Sequence, residues 1–259
     1  MKSLLLNLYE YRELILNLTI NELKLRYRNS ILGFLWQILN PLFYLLILAI
    51  VFSKIIRFRI ENYTIFLFAG LTSWLMIQQT VTIATASVVN NQSLIRKVYI
   101  PKIVFPLSNV LARYVDHLIL TLILFGFLII FKAPFTINLL FIPFIILLHF
   151  LFSLGLSLIF ATAYIKIKDV QHIIAIAFQA LFYITPIIYS IEILPQNYRP
   201  LFLLNPFYYF VECFRFPIYN SSPPPQNILF VASILTVFAL FTGLFVFLRN
   251  EKYFVFHLS

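Results

Sequence analysis

Six apolar runs, each long enough to cross a bilayer as a helix, constrain this chain more than any other feature. They cover residues 31–52, 63–88, 103–131, 137–165, 170–188 and 228–248. About 20 apolar residues span the hydrocarbon core. Backbone N–H and C=O groups find no water there, so each run must satisfy its own hydrogen bonds. An α-helix does this and an open sheet does not. The expectation is an all-α integral membrane protein of six transmembrane helices, forming a single domain over 1–259. Composition points the same way. The 259 residues are 62% hydrophobic and 11% charged, against about half and about a quarter in a soluble domain.

Charge sets the orientation. The net charge is +10, and nucleic-acid binding would need it concentrated on a soluble basic face. Here it is spread over short loops, where it orients helices and meets anionic lipid. With the N-terminus inside, Lys2, Arg12, Lys24, Arg26, Arg28, Arg96, Lys97, Lys102, Lys166, Lys168, Arg249 and Lys252 are cytoplasmic. Lys54, Arg57, Arg59, Lys132, Arg199 and Arg215 are outside, so twelve cations stand against six. Both termini are therefore expected inside, although Lys54, Arg57 and Arg59 run against the trend. Cys213 is the single cysteine, which excludes an intramolecular disulfide and a multi-cysteine metal site. No cleavable signal is read, because the first apolar run is longer than the roughly 7–15 residues of a signal core.

Three segments do not span. Over 1–29, Leu4, Leu8, Tyr11, Ile15 and Leu18 form one apolar stripe opposite Lys2, Glu10, Glu13 and Asn17. That pattern predicts an amphipathic helix in the cytoplasmic interface. The loop 90–102, NNQSLIRKVYIPK, is short, basic and closed by Pro101. The region 190–226 is rich in Pro, Tyr and Phe. Its apolar patches are too short to cross, so it sits outside or folds back as a protein-lined re-entrant pair.

Several spans carry polar faces. Gly33, Gln37, Asn40 and Tyr44 share one side of the first, bordered by Trp36 and Phe43. Trp74, Gln78, Thr82 and Thr85 line up on the second. His172, Ala175, Gln179, Phe182 and Pro186, with Tyr183 beside them, do so on the fifth. Polar groups facing lipid are costly, so these faces turn toward protein or water. Two readings stand: a pathway wall, or helix–helix packing through small and polar residues. Aromatic faces with amides suit sugar rings, which lie flat on them while amides meet the hydroxyls.

Arg113, Asp116 and His117 lie in the inner third of the third span. Arg113 and Asp116, three residues apart, read as a structural pair rather than a proton relay. His149 stands alone and reads as a packed histidine. The glycines at 33, 70, 126, 155 and 243 open no phosphate loop. No HExxH or GxSxG motif occurs either.

Four segments carry a resemblance. They are LKLRYRNSILGFLWQILNPL at 23–42, SLIRKVYIPKIVFPLSNV at 93–110, IKDVQHIIAIAFQALFYITPIIY at 167–189 and LNPFYYFVECFRFPIY at 204–219. In this order the chain resembles the membrane subunits of type-2 ABC exporters, in particular those moving bacterial O-antigen, capsule or teichoic acid. The resemblance implies an N-terminal interface helix, a cytoplasmic coupling helix between spans two and three, and re-entrant helices before span six. It also implies a homodimer with two copies of a cytoplasmic ATP-binding subunit. No cofactor is expected on this chain, and ATP and magnesium belong to the partner.

On that reading Arg96, Lys97, Tyr99 and Pro101 couple to the ATPase. Trp36, Gln37, Asn40, Tyr44, Trp74, Gln179, Phe182 and Tyr183 are candidates for the substrate channel, and Tyr198, Tyr208 and Tyr209 for an outer gate. Lys24, Arg26 and Arg28 sit where an incoming lipid diphosphate arrives, although inside-positive anchoring explains these charges without it. The expected substrate is polyprenyl-diphosphate-linked polysaccharide, moved across the bacterial cytoplasmic membrane. A small hydrophobic molecule on the same scaffold is the alternative.

Overall fold

The computed structural model of the chain describes residues 9–27, 32, 33, 35–52 and 60–254; at 26, 27 and 37 only the backbone is described. Lys2, Leu4, Leu8, Arg28, Lys54, Arg57 and Arg59 lie outside the described residues, as do the side chains of Arg26 and Gln37. Every regular element among the described residues is helical.

Helix α1 (Arg12–Tyr27) is followed by α2 (Leu35–Ile50), which holds Pro41, and α3 (Tyr63–Thr85). Two short helices, α4 (Ser87–Asn90) and α5 (Gln92–Lys97), lead into α6 (Val104–Ile130). Helix α7 (Ile142–Lys166) turns back into α8 (Val170–Ile184). The short α9 (Arg199–Leu203) and α10 (Pro206–Arg215) precede α11 (Gln226–Asn250).

Four stretches are long and apolar enough to cross a membrane: Tyr63–Thr85, Val104–Ile130, Ile137–Lys166 and Gln226–Tyr253. The first and fifth expected spans form shorter helices of 16 and 15 residues. At about 1.5 Å per residue these reach roughly 22–24 Å, less than the ~30 Å core. The causes are local. Gly33 adopts φ 46° just before α2, a left-handed conformation open to glycine that breaks a regular helix. Pro186 pushes Thr185 to φ −83°, ψ 133° and ends α8 there.

Hydrogen bonds between distant residues define the two ends of the bundle. At one end the Lys102 backbone N–H donates to Glu251 at 2.6 Å, and Lys166 donates to Asn250 at 3.0 Å. The loop before α6, the α7–α8 turn and the end of α11 therefore lie together. At the other end Tyr63 donates to the Ile188 carbonyl at 2.8 Å, and Asn138 to the Ser221 carbonyl at 2.7 Å. Helix α1 lies against the start of α6. Its Ile15 and Thr19 are buried, and Asn109 donates to Glu22 at 3.2 Å. The apolar stripe through Tyr11, Ile15 and Leu18 thus turns toward protein.

Helices α7 and α11 cross most closely. A Cβ on Gly155 would collide with the Ala239 backbone, and one on Gly243 with the Gly155 carbonyl. Backbones that approach this closely gain dispersion along the whole crossing, the usual device of helix pairing where lipid removes the hydrophobic drive. Helix α3 is the central element, with 83% of its apolar window buried. Trp74 at its middle meets Phe178, Phe182 and Phe207 with ring centroids 5.7, 5.9 and 5.5 Å away. The start of α10 is thus held beside the midpoints of the long helices. Asn205 caps it, accepting from the Phe207 N–H at 3.0 Å and donating to Thr185 at 2.8 Å.

Candidate functional site

Helices α2 and α8 carry polar and aromatic groups that the other described residues leave uncovered. Trp36, Asn40 and Tyr44, at successive spacings of four, are all exposed on α2. His172, Gln179 and Tyr183 are exposed on α8. Tyr44 lies 6.1 Å from Phe182, which lies 5.3 Å from Tyr183 (ring centroids), so the two faces adjoin. The structure divides the expected channel set. Trp74 is 2% exposed and Phe182 7% exposed, and both belong to the aromatic interior described above. They are core residues of this chain, and the open face is Trp36, Asn40, Tyr44, Gln179 and Tyr183. On α3, the Thr82 and Thr85 hydroxyls bond back to the Gln78 and Val81 carbonyls, both at 2.7 Å, and are spent within their own helix.

The loop after α5 presents a second surface. Arg96 and Lys97 are exposed in its last turn, and Tyr99 is 85% exposed. Ile95 and Ile100 are buried on either side and anchor the loop, while Pro101 is half-buried before the turn into α6. Lys24 is exposed on α1.

Buried polar pairs lie deeper. Arg113 Nη1 sits 3.5 Å from Asp116 Oδ2, and His117 lies 3.4 Å from the Thr80 hydroxyl. His149, for which the sequence offered no partner, has one. Its Nδ1 lies 2.8 Å from the Ile145 carbonyl, and its Nε2 lies 2.8 Å from Ser73 Oγ. A carbonyl only accepts, so Nδ1 carries the proton of the neutral ring, and Nε2 and the Phe210 carbonyl share the single Ser73 hydroxyl proton. Ser73 also lies 3.1 Å from the Phe210 carbonyl, so α3, α7 and α10 meet at one point.

Arg215, counted from the sequence among the outside loop cations, is 2% exposed within the fold. Its guanidinium pairs with Glu212 and donates to the Pro186 and Ile187 carbonyls at 2.9 and 3.0 Å. It also lies over the Phe66 ring, 3.9 Å from the centroid. The end of α8 frees those carbonyls, and the guanidinium satisfies them. The signal was present in the sequence, since Glu212 and Arg215 stand three apart in a short, mainly apolar helix. The other outer residues are divided. Tyr198 is exposed and Tyr208 buried, while the half-buried Tyr209 donates to the Leu203 carbonyl at 2.8 Å. Among the described residues no His, Cys, Asp or Glu cluster has the makings of a metal site.

Long apolar helices, buried charges held in pairs and an open amide face define a multi-pass membrane protein. Residues 13–219 match the family model described as ABC-2 type transporter, and the chain belongs to that family. It is similar to the O-antigen export system permease protein RfbA of Myxococcus xanthus, 31% identical over 98% of each chain. A protein of the same name from Klebsiella pneumoniae is 30% identical over 88% of this chain and 90% of its own. The polysialic acid transport protein KpsM of Escherichia coli is 27% identical over 91% and 92%.

Proposed function

We propose that this chain is the transmembrane subunit of an ATP-driven exporter that moves lipid-linked, O-antigen-like polysaccharide across the bacterial cytoplasmic membrane. One observation carries the reading. A chain similar along its length to polysaccharide-export permeases leaves Trp36, Asn40, Tyr44, Gln179 and Tyr183 facing outward from its own fold. Amides left in hydrocarbon are expensive. A second copy meeting this face encloses them in a path whose rings stack on sugars and whose amides meet hydroxyls.

In this reading the chain crosses six times within one domain. Helices α2 and α8 belong to the first and fifth crossings, and α9–α10 fold back as a re-entrant pair before α11. Tyr198, Tyr208 and Tyr209 stand near its outer end. The end of the bundle that holds Lys102, Lys166, Lys168 and Arg249 is cytoplasmic, as positive charge favours, and both termini lie there. Two ATP-binding subunits dock on Arg96, Lys97, Tyr99 and Pro101, and on α1 alongside. They bring the ATP and magnesium, and this chain holds no cofactor. When ATP closes their dimer, α1 and the 92–102 loop carry the motion into α3 and α6. Lys24 lies at the inner headgroup level, where a diphosphate arrives, and the sequence adds Arg26 and Arg28 to the same role.

The test is export of lipid-linked glycan with Trp36→Ala, Tyr44→Ala and Tyr183→Ala combined. Glycan at the cell surface should fall while the chain still inserts and its ATPase partner still co-purifies. Undiminished export would remove the path. Transport of a small hydrophobic dye in place of glycan would move the function to the alternative substrate class.

A further inference from the structure

Helix α8 has two open sides. One carries His172, Gln179 and Tyr183. The other, about half a turn away at 100° per residue, carries Ile173, Ala177 and Leu181. This second side floors a cleft of about 400 Å³, walled by Phe152 and Phe160 of α7, Phe207 of α10 and Phe238 of α11. Its lining is hydrocarbon apart from the Thr242 hydroxyl, which already donates to the Phe238 carbonyl at 2.7 Å. Such a cleft offers a glycan nothing, whereas a hydrocarbon chain fills it with dispersion contacts.

The helices that wall the cleft end in cations at the same end of the bundle. Lys166 closes α7, Lys168 stands in the turn to α8, and Arg249 lies in the last turn of α11. Lys166 donates to Asn250 at 3.0 Å and holds two of these ends together. Each cation lies five to seven residues beyond the nearest cleft residue of its own segment, or roughly 8–10 Å of helix rise. Asp169 is the acidic group of the same turn. Glu251 is turned to the Lys102 N–H. The arrangement is an apolar slot running along the helices, with a basic rim below it.

We infer that this cleft binds an anionic phospholipid of the cytoplasmic leaflet, one acyl chain in the slot and the phosphate against Lys166, Lys168 and Arg249. The leaflet rests on the orientation proposed above. A phospholipid fits better than the isoprenoid carrier of the substrate. Helix α8 stands between the slot and the open amide face, so a carrier here would hold its glycan on the wrong side. The bound chain braces α8, which is otherwise packed mainly along its buried Ile174, Phe178 and Phe182 stripe.

The experiment uses the full chain, extracted with its co-purifying subunits into mixed phosphatidylglycerol and phosphatidylcholine, with retained lipid read by native mass spectrometry. The unaltered protein should retain phosphatidylglycerol in preference. Lys168→Gln with Arg249→Gln should lower that preference by about thirtyfold, the size expected of two cations at an anionic surface. Ala177→Trp, which fills the slot and leaves the rim intact, should lower retention of both lipids. Equal retention of the two lipids by the unaltered protein would overturn the inference, as would variants that change nothing. Recovery of an isoprenoid diphosphate from the cleft would overturn it too. Glycan export, measured in parallel, separates failure of the proposed function from failure of the lipid site.

Discussion

The carboxylate of Glu251 accepts a hydrogen bond from the backbone N–H of Lys102 at 2.6 Å, across 149 residues of sequence. It thereby ties the end of α11 to the loop that carries Tyr99. The contact sits at the entrance to α6, where a negative charge also meets the positive end of the helix dipole. Phe254, buried against Phe247 with ring centroids 5.1 Å apart, pins the same segment.

Glu251→Ala should loosen this loop more than it unfolds the bundle. The bond is part-buried and worth about 1–2 kcal/mol. Hydrogen exchange at 98–103 should therefore rise while α3 and α7 stay protected. Equal deprotection across all three would show that Glu251 supports the whole fold instead.

The α7–α11 crossing should not tolerate side chains. Gly155→Leu or Gly243→Leu places atoms where the opposite backbone already stands, and should cost several kcal/mol, the high end for single changes. Gly126→Ala is the control, because nothing lies within 4 Å of its Cβ. Thermal unfolding in detergent should separate the two classes clearly.

Ser73→Ala leaves His149 Nε2 buried without its donor, at a cost of about 1–3 kcal/mol. Adding His149→Leu removes the orphaned group, so the double variant should be less destabilised than the sum of the two singles. Additive losses would show that the two side chains act independently.

Arg215→Met strands the Glu212 carboxylate together with two carbonyls, and about 3–5 kcal/mol is expected. Arg215→Met with Glu212→Gln should recover part of it. Gly70→Ala should destabilise by the same route, because a Cβ there meets the Arg215 guanidinium. A Gly70→Ala protein as stable as the parent would mean that the guanidinium moves freely.

Much of the fold was legible because hydrocarbon allows few solutions. The runs around 63–88, 103–131, 137–165 and 228–248 could only be helices. Hydrophobicity set the fifth run too long, since it continues past Pro186 while the backbone does not. The site was harder. Trp74 and Tyr44 both stand on aromatic helical faces, and the sequence does not say which face the neighbouring helices cover. Once α8 and α10 close over Trp74, it becomes core. Tyr44 stays open because nothing among the described residues covers it. Ser73 and His149 meet across 76 residues with no local trace. Arg215 was read only as a loop cation, although Glu212 three residues earlier marked a buried pair.

The tight crossing of Gly155 and Gly243 also sets a schedule for biogenesis. The two glycines are 88 residues apart, which a ribosome covers in roughly 4–18 seconds at 5–20 residues per second. During that interval α8, α9 and α10 are synthesised while the wall that α11 supplies is still missing. Ile173, Ala177 and Leu181 then lack that wall, and Arg215 is made about two thirds of the way through the wait. Whatever machinery inserts this chain must keep α7 available until its partner arrives.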